Sequence, residues 1–205
     1  MSLSFFLRGI LIGLAIAAPV GPINVLCIRR TLADGRAIGF ISGLGAAVAD
    51  GTYGGVAAFG LTAVSGVLVS GQTWMRVIGG GFLLYLGVRT FIAKPAEPSE
   101  ASRSTRLIGA FASTYVLTLT NPLTILFFAA IFAGLGIAAS DGSYASAGSL
   151  TAGVFLGSTI WWVLLTTIVG SVRERFTPNV MVWVNRASGC LIGGFGVAAF
   201  VSLLI

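Results

Sequence analysis

The chain contains no histidine, only two cysteines and few charged residues. Charged side chains make up 9% of its 205 residues and hydrophobic ones 56%, whereas about a quarter of the residues in soluble domains are charged. Cys27 and Cys190 lie far apart within apolar stretches, and no metal-ligand spacing, phosphate-binding loop or nucleophile motif occurs. Composition therefore predicts an integral membrane protein that is not an enzyme, without a cofactor, a metal or a disulfide.

The net charge of +6 raises the question of nucleic acid binding. The basic residues, however, lie at the ends of apolar runs, where they are expected to contact lipid headgroups. The sequence therefore predicts a lipid bilayer, and no nucleic acid, as the partner of this positive charge.

Six apolar stretches are long enough to form membrane-spanning helices, each of which needs roughly 20 residues. The loops between them are short, and the most polar linker, at about 93–107, joins two halves of one domain. We therefore predict an all-α integral membrane fold, with a single transmembrane transporter domain over 1–205 whose repeats cover about 5–92 and 108–204. The predicted spans are 5–28, 38–62, 74–92, 108–137, 149–170 and 180–204.

The distribution of lysine and arginine predicts the orientation of the six spans. Ten of these twelve residues fall at the first, third and fifth connections, which the positive-inside rule assigns to the cytoplasm. Both termini are therefore expected in the periplasm of a bacterial inner membrane. The ten are Arg29, Arg30, Arg36, Arg89, Lys94, Arg103, Arg106, Arg173, Arg175 and Arg186, whereas Arg8 and Arg76 fall on the other side.

The two halves of the chain repeat each other in sequence. Residues 21–26, GPINVL, recur as NPLTIL at 121–126. Because each half has an odd number of spans, the repeats would have inverted topology, a known transporter architecture. The alternative is chance similarity between glycine-rich apolar segments. Further matches at an offset of 109 are Trp74, Gly80, Gly87, Val88 and Phe91 with Trp183, Gly189, Gly196, Val197 and Phe200.

Prolines lie within the first and fourth predicted spans, at Pro19, Pro22 and Pro122. Proline removes a backbone donor and clashes with the preceding turn, so each span should break there. Gly21 and Pro22 are suited to start a new half-helix, and Asn121 with Pro122 offers the same arrangement. Unpaired amides at such a start bind anions, and carbonyls released before it attract cations. We therefore predict a site for a solute with both charges, such as an amino acid; the alternative is a structural kink.

Asp50 is the one acidic residue at the middle of a predicted span. An intramembrane carboxylate costs roughly 2.5–3.5 kcal/mol on insertion scales and should face the bundle interior. Small and polar residues recur at helical spacing on its side, from Gly39 to Ala57, whereas Phe40 and Leu44 suit lipid. Because burial disfavours the charged form, we predict that Asp50 takes up and releases protons. The alternative is a neutral carboxyl that is hydrogen-bonded for packing.

Two asparagines are further candidates for a cavity. Asn24 follows the first break by two residues, and Asn185 lies on a face of small residues. Either residue lines the cavity or joins helices through hydrogen bonds. Trp161 and Trp162 are expected to contact lipid or to pack within the bundle rather than to hold substrate.

The chain resembles the lysine exporter and homoserine/threonine resistance family (LysE/RhtB) of amino-acid translocators over nearly its whole length. The resemblance rests on PVGP at 19–22, on GR at 35–36 with 39–50, and on NP at 121–122 followed by LFF at 126–128. It implies a secondary transporter that exports amino acids or their analogues by proton antiport. Carried over by position, the family-motif residues are Gly21, Pro22, Asp50, Asn121 and Pro122.

Two other classes are alternatives to a transporter, and the first of them is nearly excluded by the cysteines that it requires. A membrane thiol-disulfide electron carrier is similar in span number and in its proline breaks, but it needs paired cysteines in the first and fourth helices. Cys27 lies beyond the break and the fourth predicted span has no cysteine. The other class is a channel or structural membrane subunit, and a homo-oligomer is open for every class.

The substrate-binding candidates are Gly21, Pro22, Asn24, Asn121, Pro122 and Asn185, with Asp50 for proton coupling.

Overall fold

The computed structural model describes residues 2–19, 21–58, 72–93, 103–121, 124–125, 127–128, 144–173 and 177–203. Over these ranges the fold is all-α, as predicted, with seven helices and no strand. The helices are α1 (Ser2–Ala17), α2 (Pro22–Asp34), α3 (Arg36–Ala58), α4 (Gln72–Phe91), α5 (Arg103–Leu119), α6 (Tyr144–Val172) and α7 (Pro178–Val201).

The helices follow the predicted spans where those spans are described. Within the described ranges, α6 and α7 are each long and apolar enough to cross a membrane, and α1 with α2 counts as a third such segment if the bent pair is one span. α2 continues to Asp34, beyond the predicted end of the first span at about residue 28, and carries Arg29 and Arg30 within it. The later parts of the predicted spans 38–62 and 108–137 lie outside the described residues.

The first span is broken where proline and glycine predicted it. α1 ends at Ala17, α2 begins at Pro22, and their axes differ by 80°. Gly21 is the N-cap in an extended conformation, and Pro22 takes the first helical position, where its missing N–H costs no hydrogen bond. The break therefore creates a helix start in the middle of the first predicted span.

Glycines allow α1 to cross α6 with the two backbones in contact. A methyl group on Gly153 would lie 2.9 Å from the Cα atom of Gly9, and one on Gly157 would lie 3.0 Å from the Cα atom of Ile10. No side chain fits between helices at that distance, so these positions require glycine. The close crossing brings α6 against α3, which packs between α5 and α6.

α4 and α7 also cross through glycines, in a pattern that the sequence repeat relates. A methyl group on Gly80 would lie 3.3 Å from the carbonyl oxygen of Gly196, and one on Gly87 would lie 3.0 Å from that of Gly189. The offset of 109 maps Gly80 onto Gly189 and Gly87 onto Gly196. The offset therefore converts the contact between Gly80 and Gly196 into the contact between Gly189 and Gly87. A two-fold relation between the halves requires this equivalence.

Arginines join the C-terminal half of α2 to α3, α5, α7 and the residue that follows α6. Arg173, directly after α6, donates from Nε to the Leu32 carbonyl at 2.8 Å and from Nη2 to the Ala33 carbonyl at 3.1 Å. Arg29 reaches α7, and Arg30 reaches α3 and α5. The expectation of headgroup contacts is therefore wrong for Arg30, whose guanidinium donates to Ser42 Oγ at 2.9 Å, Thr114 Oγ1 at 3.0 Å, the Ala110 carbonyl at 3.1 Å and Ser113 Oγ at 2.8 Å.

We expect Arg30→Leu to lower stability strongly, because it removes charged hydrogen bonds that join three helices. A hydrogen bond to a charged group contributes about 1.5–3 kcal/mol, so the change should lower the apparent Tm in detergent by roughly 3–12 °C. Arg89→Leu is the control, since Arg89 is exposed and, among the described residues, bonds only the Tyr85 hydroxyl, at 3.4 Å. Equal Tm values for the two variants would contradict a structural role for Arg30.

Candidate functional site

A cavity of about 80 Å³ lies at the break between α1 and α2. At about 10–15 Å³ for each water it has room for several water molecules. Five of the seven residues predicted for the site line it: Gly21, Pro22, Asn24, Asp50 and Asn121. The other lining residues are Ile16, Ala17, Pro19, Ile23, Ala46, Thr118, Thr124, Phe127 and Trp162.

Asp50 is buried on the inward face of α3, as the spacing of small residues predicted. It is 3% exposed, and within the described ranges Ser158 of α6 is its hydrogen-bond donor, at 2.7 Å from Ser158 Oγ to Asp50 Oδ2. Trp162 Nε1 donates in turn to Ser158 Oγ at 3.2 Å. No basic side chain of the described residues pairs with Asp50, so its carboxyl group is available to a proton or to a cationic group of a ligand.

The start of α2 presents backbone amides to the same cavity. No side chain caps Gly21, and Pro22 has no N–H of its own. Gly21, Pro22, Ile23 and Asn24 all line the cavity. Since a helix start carries roughly half a positive charge and unpaired N–H groups, this end favours an anionic group such as a carboxylate.

Asn24 stabilises the break itself. Its Nδ2 group donates to the Ala17 carbonyl at 3.0 Å and to the Pro19 carbonyl at 2.9 Å. Its Oδ1 atom accepts from Trp161 Nε1 at 3.1 Å. Asn24 therefore both lines the cavity and joins helices, and it occupies the Ala17 carbonyl, which is released just before the break.

The region after α5 also lines the cavity, through Asn121 and Thr124. α5 ends at Leu119, Asn121 is not helical, and helical residues follow at 124–125 and 127–128. The Tyr53 hydroxyl of α3 donates to the Leu119 carbonyl at the end of α5. Pro122 lies outside the described residues, so its predicted place in the site stays a prediction.

Asn185 does not line this cavity, although the sequence made it a candidate. It is 1% exposed, accepts from Arg29 Nε at 3.0 Å and donates to the Ala93 carbonyl at 3.0 Å. Its amide therefore joins α2, α7 and the end of α4. Joining helices through hydrogen bonds is one of the two roles that the sequence predicted for Asn185.

Sequence reasoning missed Ser158 and the role of Trp162. Trp162 is 2% exposed and packs within the bundle, which agrees with one of its two expected roles. It also lines the cavity and bonds Ser158, which holds Asp50. The four-residue spacing of Ser158 and Trp162 on one helix was visible, but nothing in the sequence showed that this face meets Asp50.

Together these groups form a small buried site with two kinds of charge preference. The α2 start favours an anionic group, and the Asp50 carboxylate favours a cationic one. Apolar side chains from Ile16, Ile23 and Phe127 complete the wall. This arrangement can bind a small zwitterion, and it can exchange a proton at Asp50.

Comparisons with known proteins fit a membrane transporter. A family model described as LysE type translocator matches residues 14–203. The "Putative amino acid efflux protein YcgF" of Bacillus subtilis (strain 168) is 28% identical over 199 residues, covering 95% of this chain and 94% of that protein. The "Uncharacterized membrane protein YahN" of Escherichia coli (strain K12) is 29% identical over 173 residues, covering 82% and 76%. No solved structure matches the chain.

The family match covers all the groups that form the site. It includes the break between α1 and α2, Asp50, the end of α5 and Ser158 with Trp162. The match also spans nearly the whole chain, in agreement with the resemblance found in its motifs. This protein is a helical membrane protein that belongs to the LysE type translocator family.

Proposed function

We propose that this protein is a secondary transporter that exports amino acids or related small zwitterions from the bacterial cytoplasm in exchange for protons. One observation carries the proposal: the uncapped start of α2 and the Asp50 carboxylate line the same cavity. The first group suits the carboxylate of an amino acid and the second suits its ammonium group. Membership of the translocator family and the printed name of the Bacillus relative support amino acids as the solute class.

Competition at Asp50 provides a mechanism for antiport. The carboxylate can hold either a proton or an ammonium group, because a protonated carboxyl no longer offers a negative charge. Binding of substrate from the cytoplasm would therefore require a deprotonated Asp50. Protonation from the periplasm, where the pH is lower, would release the substrate on that side.

The proposed architecture has two inverted three-helix repeats that exchange positions about a two-fold axis. The reciprocal glycine contacts between α4 and α7 support this relation. The helix pairing supports it as well, since α1 packs on α6 and α5 packs on α3. Both cavity walls would then be formed by equivalent breaks, the usual place for a binding site in such transporters.

We expect both termini to face the periplasm. In a variant in which Cys190 is replaced by serine, a membrane-impermeant thiol reagent should label Ser2→Cys and Ser202→Cys in intact cells. Ser99→Cys, in the polar linker, should react only after the membrane is opened. Cys27 is buried and should stay unlabelled. Labelling of Ser99→Cys from outside would contradict the orientation.

We expect a preference for neutral amino acids over lysine or arginine. The proposed site matches one carboxylate with the α2 start and one ammonium with Asp50. The described part of the cavity lining has no second acidic residue for a cationic side chain, and an unpaired buried charge is strongly unfavourable. Counterflow in proteoliposomes should therefore exchange labelled neutral amino acids at least 10-fold faster. Preferential exchange of lysine or arginine would contradict this expectation.

A further inference from the structure

We propose that Ser158 and Trp162 are positioning residues that set the pH at which Asp50 exchanges its proton. The inference deepens the proposed function and rests on it, since it concerns regulation of the same site. Neither residue was a candidate from the sequence, and both lie on one face of α6 beside the cavity. Ser158 is fully buried, so the pattern of its hydrogen bonds is determined by the protein alone.

The donor and the acceptor of each hydrogen bond around Ser158 can be assigned. The indole N–H of Trp162 can only donate, so Ser158 Oγ must accept from it, at 3.2 Å. The single hydroxyl hydrogen of Ser158 is then directed to Asp50 Oδ2, at 2.7 Å. The arrangement therefore presents a donor to the carboxylate, which stabilises its deprotonated form.

Packing holds the indole of Trp162 in this orientation. A methyl group on Gly43 of α3 would lie 2.5 Å from Trp162 Cγ, so the indole lies directly on the α3 backbone. Because Trp162 also lines the cavity, it connects the Asp50 hydrogen bond to the cavity wall. Protonation of Oδ2 would replace an acceptor by a donor, and the Ser158 hydroxyl would have to turn away.

Other titratable groups around Asp50 do not provide this control. Tyr53 of α3 donates to the Leu119 carbonyl, Arg29 of α2 donates to Asn185 of α7, and Tyr115 of α5 and Cys27 of α2 are a further phenol and a thiol of the described interior. Phenols and thiols are neutral below about pH 8. Arg30 of α2 is directed to α3 and α5 and bonds hydroxyl and carbonyl groups there. On α6 the neighbour of Asp50 is the Ser158 hydroxyl.

The pH profile of amino acid exchange in proteoliposomes tests the inference. Ser158→Ala removes the donor to the carboxylate, so the pH of half-maximal exchange should move up by about one to two units. Ser158→Thr keeps a hydroxyl and should restore a nearly normal midpoint. Trp162→Phe keeps the ring but removes the N–H, and it should move the midpoint in the same direction by less. If the pH profiles of Ser158→Ala and Trp162→Phe both coincide with that of wild type, the proposal is overturned.

The control is Ser149→Ala on the same helix, because the Ser149 hydroxyl bonds only the Ala145 carbonyl within the part of the chain that the structure describes. This variant should keep the wild-type midpoint, and a shift equal to that of Ser158→Ala would also overturn the proposal.

A second readout does not need transport. The emission of Trp162, taken as wild type minus Trp162→Phe, should titrate with pH and should lose that titration in Asp50→Asn. If the emission titrates while no amino acid is exchanged, the positioning role stands and the proposed substrate class is wrong.

Discussion

Asp50→Asn is expected to abolish pH-driven accumulation of amino acid while leaving a folded protein in the membrane. The amide has the size of the carboxyl group, so the packing against α6 is retained, but it can neither take up a proton nor pair with an ammonium group. Loss of a charged hydrogen bond of about 1.5–3 kcal/mol should lower exchange at low substrate concentration by about 10- to 150-fold. Size-exclusion profile and apparent Tm in detergent should stay close to wild type.

Asp34→Asn is the matched control for this measurement. Asp34 is exposed at the C-terminal end of α2 and does not line the cavity. The same loss of charge there should leave accumulation within about two-fold of wild type, since an exposed charge interacts weakly with distant groups. An Asp50→Asn protein that still concentrates amino acid at the normal rate would make Asp50 a structural residue.

Gly157→Ala is expected to destabilise the protein strongly, although it adds only one methyl group. The added carbon would overlap the Ile10 carbonyl group and lie 3.0 Å from the Ile10 Cα atom, so the backbones of α1 and α6 would have to separate. Overpacking typically costs 1–3 kcal/mol, and contact with a backbone relaxes less than contact with a side chain. We expect a loss of about 3 kcal/mol, seen as a fall of roughly 6–12 °C in apparent Tm.

Gly148→Ala, on the same helix, separates this packing effect from the general effect of replacing glycine. No atom of the described residues lies within 4 Å of the position that its methyl group would take. Alanine stabilises a helix by up to about 1 kcal/mol relative to glycine, so this variant should be as stable as wild type or more stable. Equal Tm values for Gly157→Ala and Gly148→Ala would contradict the close crossing of α1 and α6.

Local chemistry was enough to predict the break in the first span. Proline restricts its own backbone and removes a donor within a few residues, so PVGP at 19–22 determines where α1 ends and α2 begins. Periodicity was enough to predict the inward face of α3. Gly39, Gly43 and Asp50 are buried, whereas Phe40 and Leu44 on the other face are only partly buried.

Contacts between distant helices could not be predicted in this way. Ser158 is 108 residues from Asp50 in sequence, and their contact depends on how α6 is rotated against α3. The same limit applies to Asn185, whose small-residue face meets Arg29 rather than the cavity. Arg30 illustrates it further: the sequence gives the charge and an approximate depth, but only the packed helices show hydroxyl groups arranged around the guanidinium.

The most direct test of the central claim is amino acid flux driven by a pH gradient alone. Purified wild-type protein in proteoliposomes, with a labelled neutral amino acid at equal concentration on both sides, should accumulate it on the more acidic side. Protons should move in the opposite direction and should be detected by a trapped pH dye. Asp50→Asn liposomes should show neither movement. If the amino acid concentrations on the two sides of the wild-type liposomes stay equal, and the equilibration rate does not depend on the pH gradient, the result contradicts antiport and indicates a channel.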